Sequence, residues 1–166
     1  MGETKKILVV GDVMIDVYVH VTTGRMAPEA PIPVWDEVGR DRRLGGAANV
    51  AHNLKALGGE EVEVFVAGVI GQYDRKTLQH VGIDTVLCNG RETMFKTRYV
   101  DENEKYLLRS DNIPKFSDDS RAGLIRCLRH FLRGHLFDAV IFSDYDKGTI
   151  DHEIVELVVP TARGPV

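Results

Sequence analysis

The strongest constraint on the fold is a short run of β-branched and other apolar residues near the N-terminus. Residues 5–10 read KKILVV, and Gly11 and Asp12 follow directly. Such a run is typical of a buried strand in a parallel sheet that helices cover on both faces. The sequence therefore predicts an α/β fold, with ligand chemistry in the loop after this strand.

Strand and helix patterns alternate along the rest of the chain, which favours the same architecture. A helix is predicted from Ala47, where apolar residues recur at helical spacing until the stop at Gly58-Gly59. We expect Asp118 or Asp119 to cap a later helix. The further predicted elements are strands at 62–68, 84–88 and 138–143, and helices at 74–80, about 118–133 and 151–159.

A second group of strands has a more polar pattern. Residues 17–21 alternate valine with tyrosine and histidine, which is typical of a half-exposed strand. Another strand is predicted at 32–38, and a β-hairpin at 93–109. We expect the segments at about 17–38 and 93–109 to form a small accessory layer, here called the lid.

Length, composition and charge exclude several classes of protein. The chain has 166 residues, 43% of them apolar, and a net charge of -4, which fits one soluble domain and predicts no nucleic-acid partner. No apolar run approaches the roughly twenty residues that span a bilayer, so we expect no membrane partner and a cytoplasmic location. The six histidines lack metal-site spacing, and Cys88 and Cys127 lack a CxxC pair, which predicts no metal site and reduced thiols.

Two carboxylates follow the first strand, at the end of the sheet where α/β proteins bind ligands. Asp12 and Asp16 lie in the sequence GDVMID. Asp12 satisfies turn amides on one interpretation and contacts a ligand on the other. Asp16 is the better candidate for accepting hydrogen bonds from sugar hydroxyls.

The predicted helix at Ala47 begins with a glycine pair. Gly45 and Gly46 let backbone N–H groups approach an oxygen-rich ligand, and Asn49 lies in the first turn of the helix. The spacing matches neither a dinucleotide-binding loop nor a Walker loop. The pair therefore indicates a polar binding loop without specifying its ligand.

Cations are concentrated on the predicted hairpin. Lys96 and Arg98 share one face of a strand, and Arg109 lies on the partner strand, so together they could hold a phosphate group. Charges that protect an edge strand are the alternative interpretation. Two further sets of candidates are Arg42 and Arg43, and Asp144 and Lys147 in the loop after the last strand, where a polar turn explains the residues equally well.

Six short segments occur in an order that is specific in combination. They are GDVMID at 11–16, GRMAPEAPIPV at 24–34, GGAANVA at 45–51, KTR at 96–98, LLR at 107–109 and SDYDKG at 143–148. In this combination the chain resembles the ribokinase-like sugar kinases of the phosphofructokinase B type. Within that family it is similar to D-glycero-β-D-manno-heptose 7-phosphate kinase domains over nearly its whole length.

The resemblance implies a Rossmann-like ribokinase fold and transfer of the ATP γ-phosphoryl group, with Mg²⁺, to the C1 hydroxyl of heptose 7-phosphate. This reaction leads to ADP-heptose and the lipopolysaccharide core. Pairing of lids between subunits in this family implies a homodimer. The implied site residues are Asp16, Gly45, Gly46 and Asn49 at the sugar hydroxyls, and Lys96, Arg98 and Arg109 at the existing phosphate.

Three departures from the family pattern limit what we expect. Val17 stands where the family usually has arginine, and residues 72–81 are too few for the family's usual segment, with Gln72 where an aspartate is common. The sequence also ends before the family's GAGD region, which holds the catalytic base. We therefore expect residues 1–166 to be one truncated ribokinase-like domain that is inactive as a kinase alone. Two alternatives stay open, a non-catalytic dimerisation or interaction protein derived from a sugar kinase, and a kinase for another sugar.

Overall fold

A computed structural model of the chain describes residues 3–71, 77–78, 83–88 and 93–166. For residues 86–88 it describes the backbone alone. Most of the helix predicted at 74–80 lies outside the described residues.

The first sheet is parallel and has the strand order β5-β4-β1-β8. Its strands are β1 (Lys5–Gly11), β4 (Val62–Val69), β5 (Asp84–Cys88) and β8 (Ala139–Ser143). Each begins close to the residue where the apolar runs predicted a strand. The predicted α/β class and its parallel sheet are therefore confirmed.

Helices cover both faces of the first sheet. They are α1 (Ala47–Gly58), α2 (Asp118–Phe131) and α3 (His152–Val158), with short 3₁₀ turns at Gly59–Glu61 and Val159–Thr161. Leu8 and Val10 of β1 pack in a cluster with α2 and α3, whereas Val9 packs in a cluster with α1. This division follows from the alternation of side chains along a strand, which sends successive residues to opposite faces.

A second sheet contains the strands predicted for the lid and has the order β3-β2-β6-β7. Its strands are β2 (Val13–Met26), β3 (Pro33–Gly46), β6 (Met94–Val100) and β7 (Tyr106–Asn112). β2 pairs antiparallel with β3 and parallel with β6, and β6 pairs antiparallel with β7. β2 and β3 are longer than the strands predicted at 17–21 and 32–38, because their pairing continues to Val13 and Gly46.

The cap predicted for α2 was wrong. The capping residue is Ser117, which has an extended backbone and whose Oγ accepts a hydrogen bond from the Ser120 amide at 3.2 Å. Asp118 and Asp119 lie inside the first turn instead. Their carboxylates stabilise the positive end of the helix dipole there. The sequence pattern therefore located the helix but placed its cap one or two residues late, because aspartate is favoured both as a cap and in the first turn.

The prediction of reduced thiols was also wrong for Cys127, which is disulfide-bonded. Cys127 lies in α2, and α2 packs against β5, the strand that ends at Cys88. Tertiary packing therefore brings these two elements together, although the spacing of the cysteines in the sequence does not indicate a disulfide.

The edge beside β8 is partly occupied by the residues that follow α3. The Phe137 amide donates to the Thr161 carbonyl at 2.9 Å, and the Val140 amide donates to the Pro165 carbonyl at 3.1 Å. The residues after α3 thus run along the start of β8. In the described part of the chain, every helix is too short or too polar to cross a bilayer.

Candidate functional site

Asp12 lies at the junction of β1 and β2 and is completely buried. Its carboxylate accepts hydrogen bonds from the amides of Tyr145 at 2.9 Å, Lys147 at 3.1 Å and Thr149 at 3.3 Å. Of the two interpretations of Asp12, the geometry fits the structural one. Asp12 holds the loop at 144–149 against the carboxyl end of β1.

Gly46 brings the start of α1 to the same junction. Its φ angle is +55°, and the next amide, that of Ala47, donates to the Asp12 carbonyl at 3.0 Å. A Cβ at Gly46 would overlap that carbonyl oxygen, so the position requires glycine. Asn49, in the first turn of α1, is exposed.

Asp16 and Arg98 form an ion pair on one face of the second sheet. Arg98 Nη1 donates to Asp16 Oδ1 at 2.5 Å, and their side chains are only 21% and 20% exposed. The hydrogen bond to Asp16 raises the pKa of Arg98 above its ordinary value, so the guanidinium stays charged. A Cβ at Gly45 would lie 2.5 Å from Asp16 Oδ2, so Gly45 borders the same site.

Lys96 connects this face to the loop held by Asp12. It lies opposite Asp16 in the pairing of β2 with β6, and its Nζ is 5.2 Å from the centre of the Tyr145 ring. The structure therefore brings Asp16, Gly45, Lys96 and Arg98 together on one side of the sheet, next to the loop at 144–149.

The loop residues Asp144 and Lys147 are engaged locally. Asp144 Oδ1 accepts a hydrogen bond from the Asp146 amide at 2.8 Å, and Lys147 Nζ donates to the Asp146 carbonyl at 3.4 Å. Both contacts stabilise the turn, in which Asp146 has a φ angle of +58°. These two side chains lie near the candidate site, and their contacts indicate a role in the turn instead of in ligand binding.

Arg109 lies opposite Arg98 in the pairing of β6 with β7. Its guanidinium donates to both oxygens of Asp111, at 2.7 Å and 2.5 Å. The bond from Arg109 lowers the pKa of Asp111, which therefore remains an anion at neutral pH. Much of the charge of Arg109 is thus balanced by Asp111.

Tyr18 is a site neighbour that the sequence did not single out. Its ring lies between two guanidinium groups, with Arg43 Cζ 4.3 Å and Arg98 Cζ 5.3 Å from the ring centre. Burial raises the pKa of Tyr18, and so does a hydrogen bond with Tyr106 of β7. The alternation of residues at 17–21 could have predicted that Tyr18 lies on the same face as Asp16, but it gave no indication that Tyr18 contacts the arginines of the site.

The other face of the second sheet is apolar. Trp35 and Tyr99 contact each other there, with ring centres 5.7 Å apart, and Arg42 Cζ lies 5.3 Å from the centre of the Phe95 ring. The buried residues of this face are Ile15, Val17, Val19 and Val21. The strand alternation therefore sends Arg42 and Arg43 to opposite faces.

The described residues contain no group of three or more histidine, cysteine or acidic side chains that could hold a metal ion. The candidate site is instead a cationic surface around one carboxylate. Such a surface suits an anionic, hydroxyl-rich ligand better than a bare metal ion.

Comparison with known structures identifies the fold. A putative phosphofructokinase from Staphylococcus aureus has a TM-score of 0.68 at 16% identity, over 96% of this chain and 51% of that chain. A possible 1-phosphofructokinase from Thermotoga maritima has a TM-score of 0.61 at 22% identity, over 93% and 49%. A ribokinase from Cryptococcus neoformans, solved in complex with ADP, has a TM-score of 0.51 at 18% identity, over 83% and 40%. The protein therefore has the fold of the ribokinase-like sugar kinases, as its motifs predicted.

Comparison with curated sequences is more specific, although no family model matches the chain. The bifunctional protein HldE of Trichlorobacter lovleyi is 40% identical over 171 residues, which are 97% of this chain and 34% of the relative. HldE of Helicobacter pylori is 37% identical over 169 residues, 96% of this chain and 35% of the relative. The chain is thus homologous over nearly its whole length to the bifunctional HldE proteins, and it spans about a third of their length.

Proposed function

We propose that the chain binds the phosphorylated sugar substrate of a heptose 7-phosphate kinase, as the sugar-binding part of that enzyme. The observation that carries this proposal is the Asp16–Arg98 ion pair with Lys96 beside it, on the face next to the start of α1. The homology to HldE proteins and the sugar-kinase fold support it.

The ion pair gives the two ends of a sugar phosphate different partners. Asp16 keeps oxygens that accept hydrogen bonds from hydroxyl groups, and the neighbouring Gly45, which has no side chain, leaves the Asp16 carboxylate in place. Arg98 has five N–H donors, of which one orients Asp16, so the same guanidinium can bind phosphate. Lys96 adds a second positive charge at the same end.

Phosphoryl transfer needs more than this acceptor site. ATP, which the family resemblance implies, would supply the phosphoryl group, and a general base and charges around the nucleotide would complete the catalyst. The family's GAGD region does not occur in this sequence, and the described residues offer no metal cluster for Mg²⁺. We therefore propose that these 166 residues bind the sugar phosphate and position its hydroxyls without turnover of their own.

Titration calorimetry tests the proposal. The chain should bind heptose 7-phosphate or sedoheptulose 7-phosphate more tightly than the unphosphorylated sugar. Lys96→Ala combined with Arg98→Ala should weaken binding of the phosphorylated sugar roughly tenfold to a hundredfold, since charged hydrogen bonds are lost. Lys105→Ala, an exposed lysine in the turn of the same hairpin, is the matched control and should leave the affinity unchanged.

Two results would contradict the proposal. One is equal affinity for the phosphorylated and unphosphorylated sugars. The other is an affinity that Lys96→Ala and Arg98→Ala leave unchanged. Tighter binding of ribose 5-phosphate or fructose 6-phosphate than of either heptose phosphate would instead favour a kinase for another sugar.

A second candidate function is dimerisation through the second sheet. Large apolar side chains are exposed on its strands and connections, among them Val38 at 66% and Leu108 at 50%. Exposed apolar residues gathered on one layer favour a protein partner, and a second copy of the chain fits the homodimer that the family resemblance implies.

Light scattering tests this second function. The wild type should form a dimer, and Val38→Asp should convert it to a monomer by placing a charge in the interface. Leu57→Asp on α1, where the leucine is 88% exposed, is the control and should leave the dimer intact. A monomeric wild type would exclude dimerisation by this sheet.

A further inference from the structure

We propose that Tyr18 positions Arg43 and Arg98 as a clamp, and that Arg43 is a third phosphate-binding cation of the site. This inference rests on the proposed function, because it assigns a role at the same sugar-phosphate site.

The aromatic ring of Tyr18 is the common contact of the two arginines. Arg43 reaches it from β3 and Arg98 from β6, at 4.3 Å and 5.3 Å from the ring centre. A guanidinium that lies over an aromatic face keeps its N–H groups, which lie in its own plane, for other partners. Tyr18 also forms a hydrogen bond with Tyr106 of β7, the strand next to β6.

Strand register places Arg43 at the site. Arg43 lies opposite Asp16 in the pairing of β2 with β3, while Lys96 lies opposite Asp16 on the other side. Arg43 and Lys96 therefore flank Asp16 on the two neighbouring strands, and Arg98 forms an ion pair with it, so three cations share this part of the face with the Asp16 carboxylate. A phosphate group, with its negative charge at neutral pH, matches these cations.

The other acids of this face already have partners. Asp41 Oδ2 lies 2.9 Å from His20 Nε2, and Asp111 binds Arg109 through both oxygens. Arg109 is the main partner of Asp111, and the charges of Lys96 and Arg98 act on its carboxylate more weakly. Arg42, by contrast, lies over Phe95 on the apolar face, so it serves as a matched control for Arg43.

The test compares the affinity for sedoheptulose 7-phosphate with that for sedoheptulose in four variants. Arg43→Ala should weaken binding of the phosphorylated sugar roughly tenfold or more and change binding of the free sugar little. Tyr18→Leu should have the same selective effect, and Tyr18→Phe, which keeps the ring, should restore most of the affinity. Arg42→Ala should behave as the wild type.

The combined variant Arg43→Ala and Tyr18→Leu should lose less affinity than the two single losses multiplied together, because both remove the same clamp. Circular dichroism and thermal unfolding show whether Tyr18→Leu is folded, and Arg43→Ala tests the proposal independently of that result. Unchanged phosphate affinity in Arg43→Ala, while Lys96→Ala and Arg98→Ala weaken it, would overturn this inference alone. A wild type without preference for the phosphorylated sugar would overturn the proposed function and this inference together.

Discussion

Two adjacent glycines, Gly45 and Gly46, serve different purposes at the site. Gly46 has a positive φ angle, and a Cβ there would overlap the Asp12 backbone carbonyl, which cannot move freely. At Gly45 the nearest atoms belong to the side chains of Asp16 and Met14, which can change rotamer. Gly46 is therefore needed for folding, and Gly45 for access to the site.

We predict opposite outcomes for alanine at these two positions. Gly46→Ala should lower the free energy of unfolding by at least about 1–2 kcal/mol, the cost of a left-handed backbone for an L-residue, with the overlap adding to it. Gly45→Ala should stay folded and weaken sugar-phosphate binding by displacing Asp16. Urea denaturation and calorimetry on both variants check this. Normal stability of Gly46→Ala would contradict it.

Helix α3 has seven residues, and its first turn is held by one side chain. Asp151 caps the helix by accepting a hydrogen bond from the Ile154 amide at 2.9 Å, and it accepts another from Arg121 Nε of α2 at 2.5 Å. The bond from Arg121, followed by the backbone bonds, lowers the pKa of Asp151 below its ordinary value. At the scale of elements, Asp151 therefore joins α2 to α3.

Stability should depend on pH through Asp151. Because its pKa is lower in the folded chain than in the unfolded chain, its contribution is complete above the unfolded pKa and is lost as the pH falls through the folded pKa. Asp151→Asn keeps a capping oxygen and removes the charge, whereas Asp151→Ala should cost about 1 kcal/mol for the cap alone. Urea unfolding at pH 7 and pH 3 should show the Asn variant less stable than wild type at pH 7, with the gap narrower at pH 3. A gap that widens at pH 3 would disprove the assignment.

The two sheets are joined at a small junction, and the contacts there hold the two sheets of the molecule together. β2 follows β1 after Asp12 alone, and the Ala47 amide donates to the carbonyl of Asp12. Lys96 and Tyr145 provide a contact across the gap between the sheets. A ligand held between the second sheet and this loop would therefore stabilise the arrangement of both sheets.

Ligand binding should raise the melting temperature of the whole chain. At a free concentration of about 100 times Kd, a sugar phosphate adds about 2.7 kcal/mol to the free energy of unfolding. For a chain of this size we expect Tm to rise by roughly 5–10 °C. Scanning calorimetry should show this rise in the wild type and a smaller one in Lys96→Ala at the same ligand concentration. An equal rise in Tm in both proteins would show that Lys96 does not contribute to binding of the ligand.

Sequence patterns located the elements well where the pattern is local. The apolar run at 5–10 predicted β1, and the spacing after Ala47 predicted α1, because burial of a strand or of one helix face demands those residue types. The capping residue depends on local backbone conformation, which residue types do not fix. The sequence therefore predicted Asp118 or Asp119 as the cap of α2, whereas the cap is Ser117. The lengths of β2 and β3 were underestimated, since they depend on each other's pairing.

Residue patterns are enough to predict the alternation of strands and helices, the glycine pair and the cations on a hairpin, because each of these features depends on neighbouring residues. The cations that lie close together in the fold could not be predicted from such patterns. In the structure, Arg98 forms an ion pair with Asp16, and Arg109 forms one with Asp111. Arg43 and Arg42 lie on opposite faces of the second sheet. The physical reason is strand register, which depends on pairing between distant segments and turns a side chain to one face or the other.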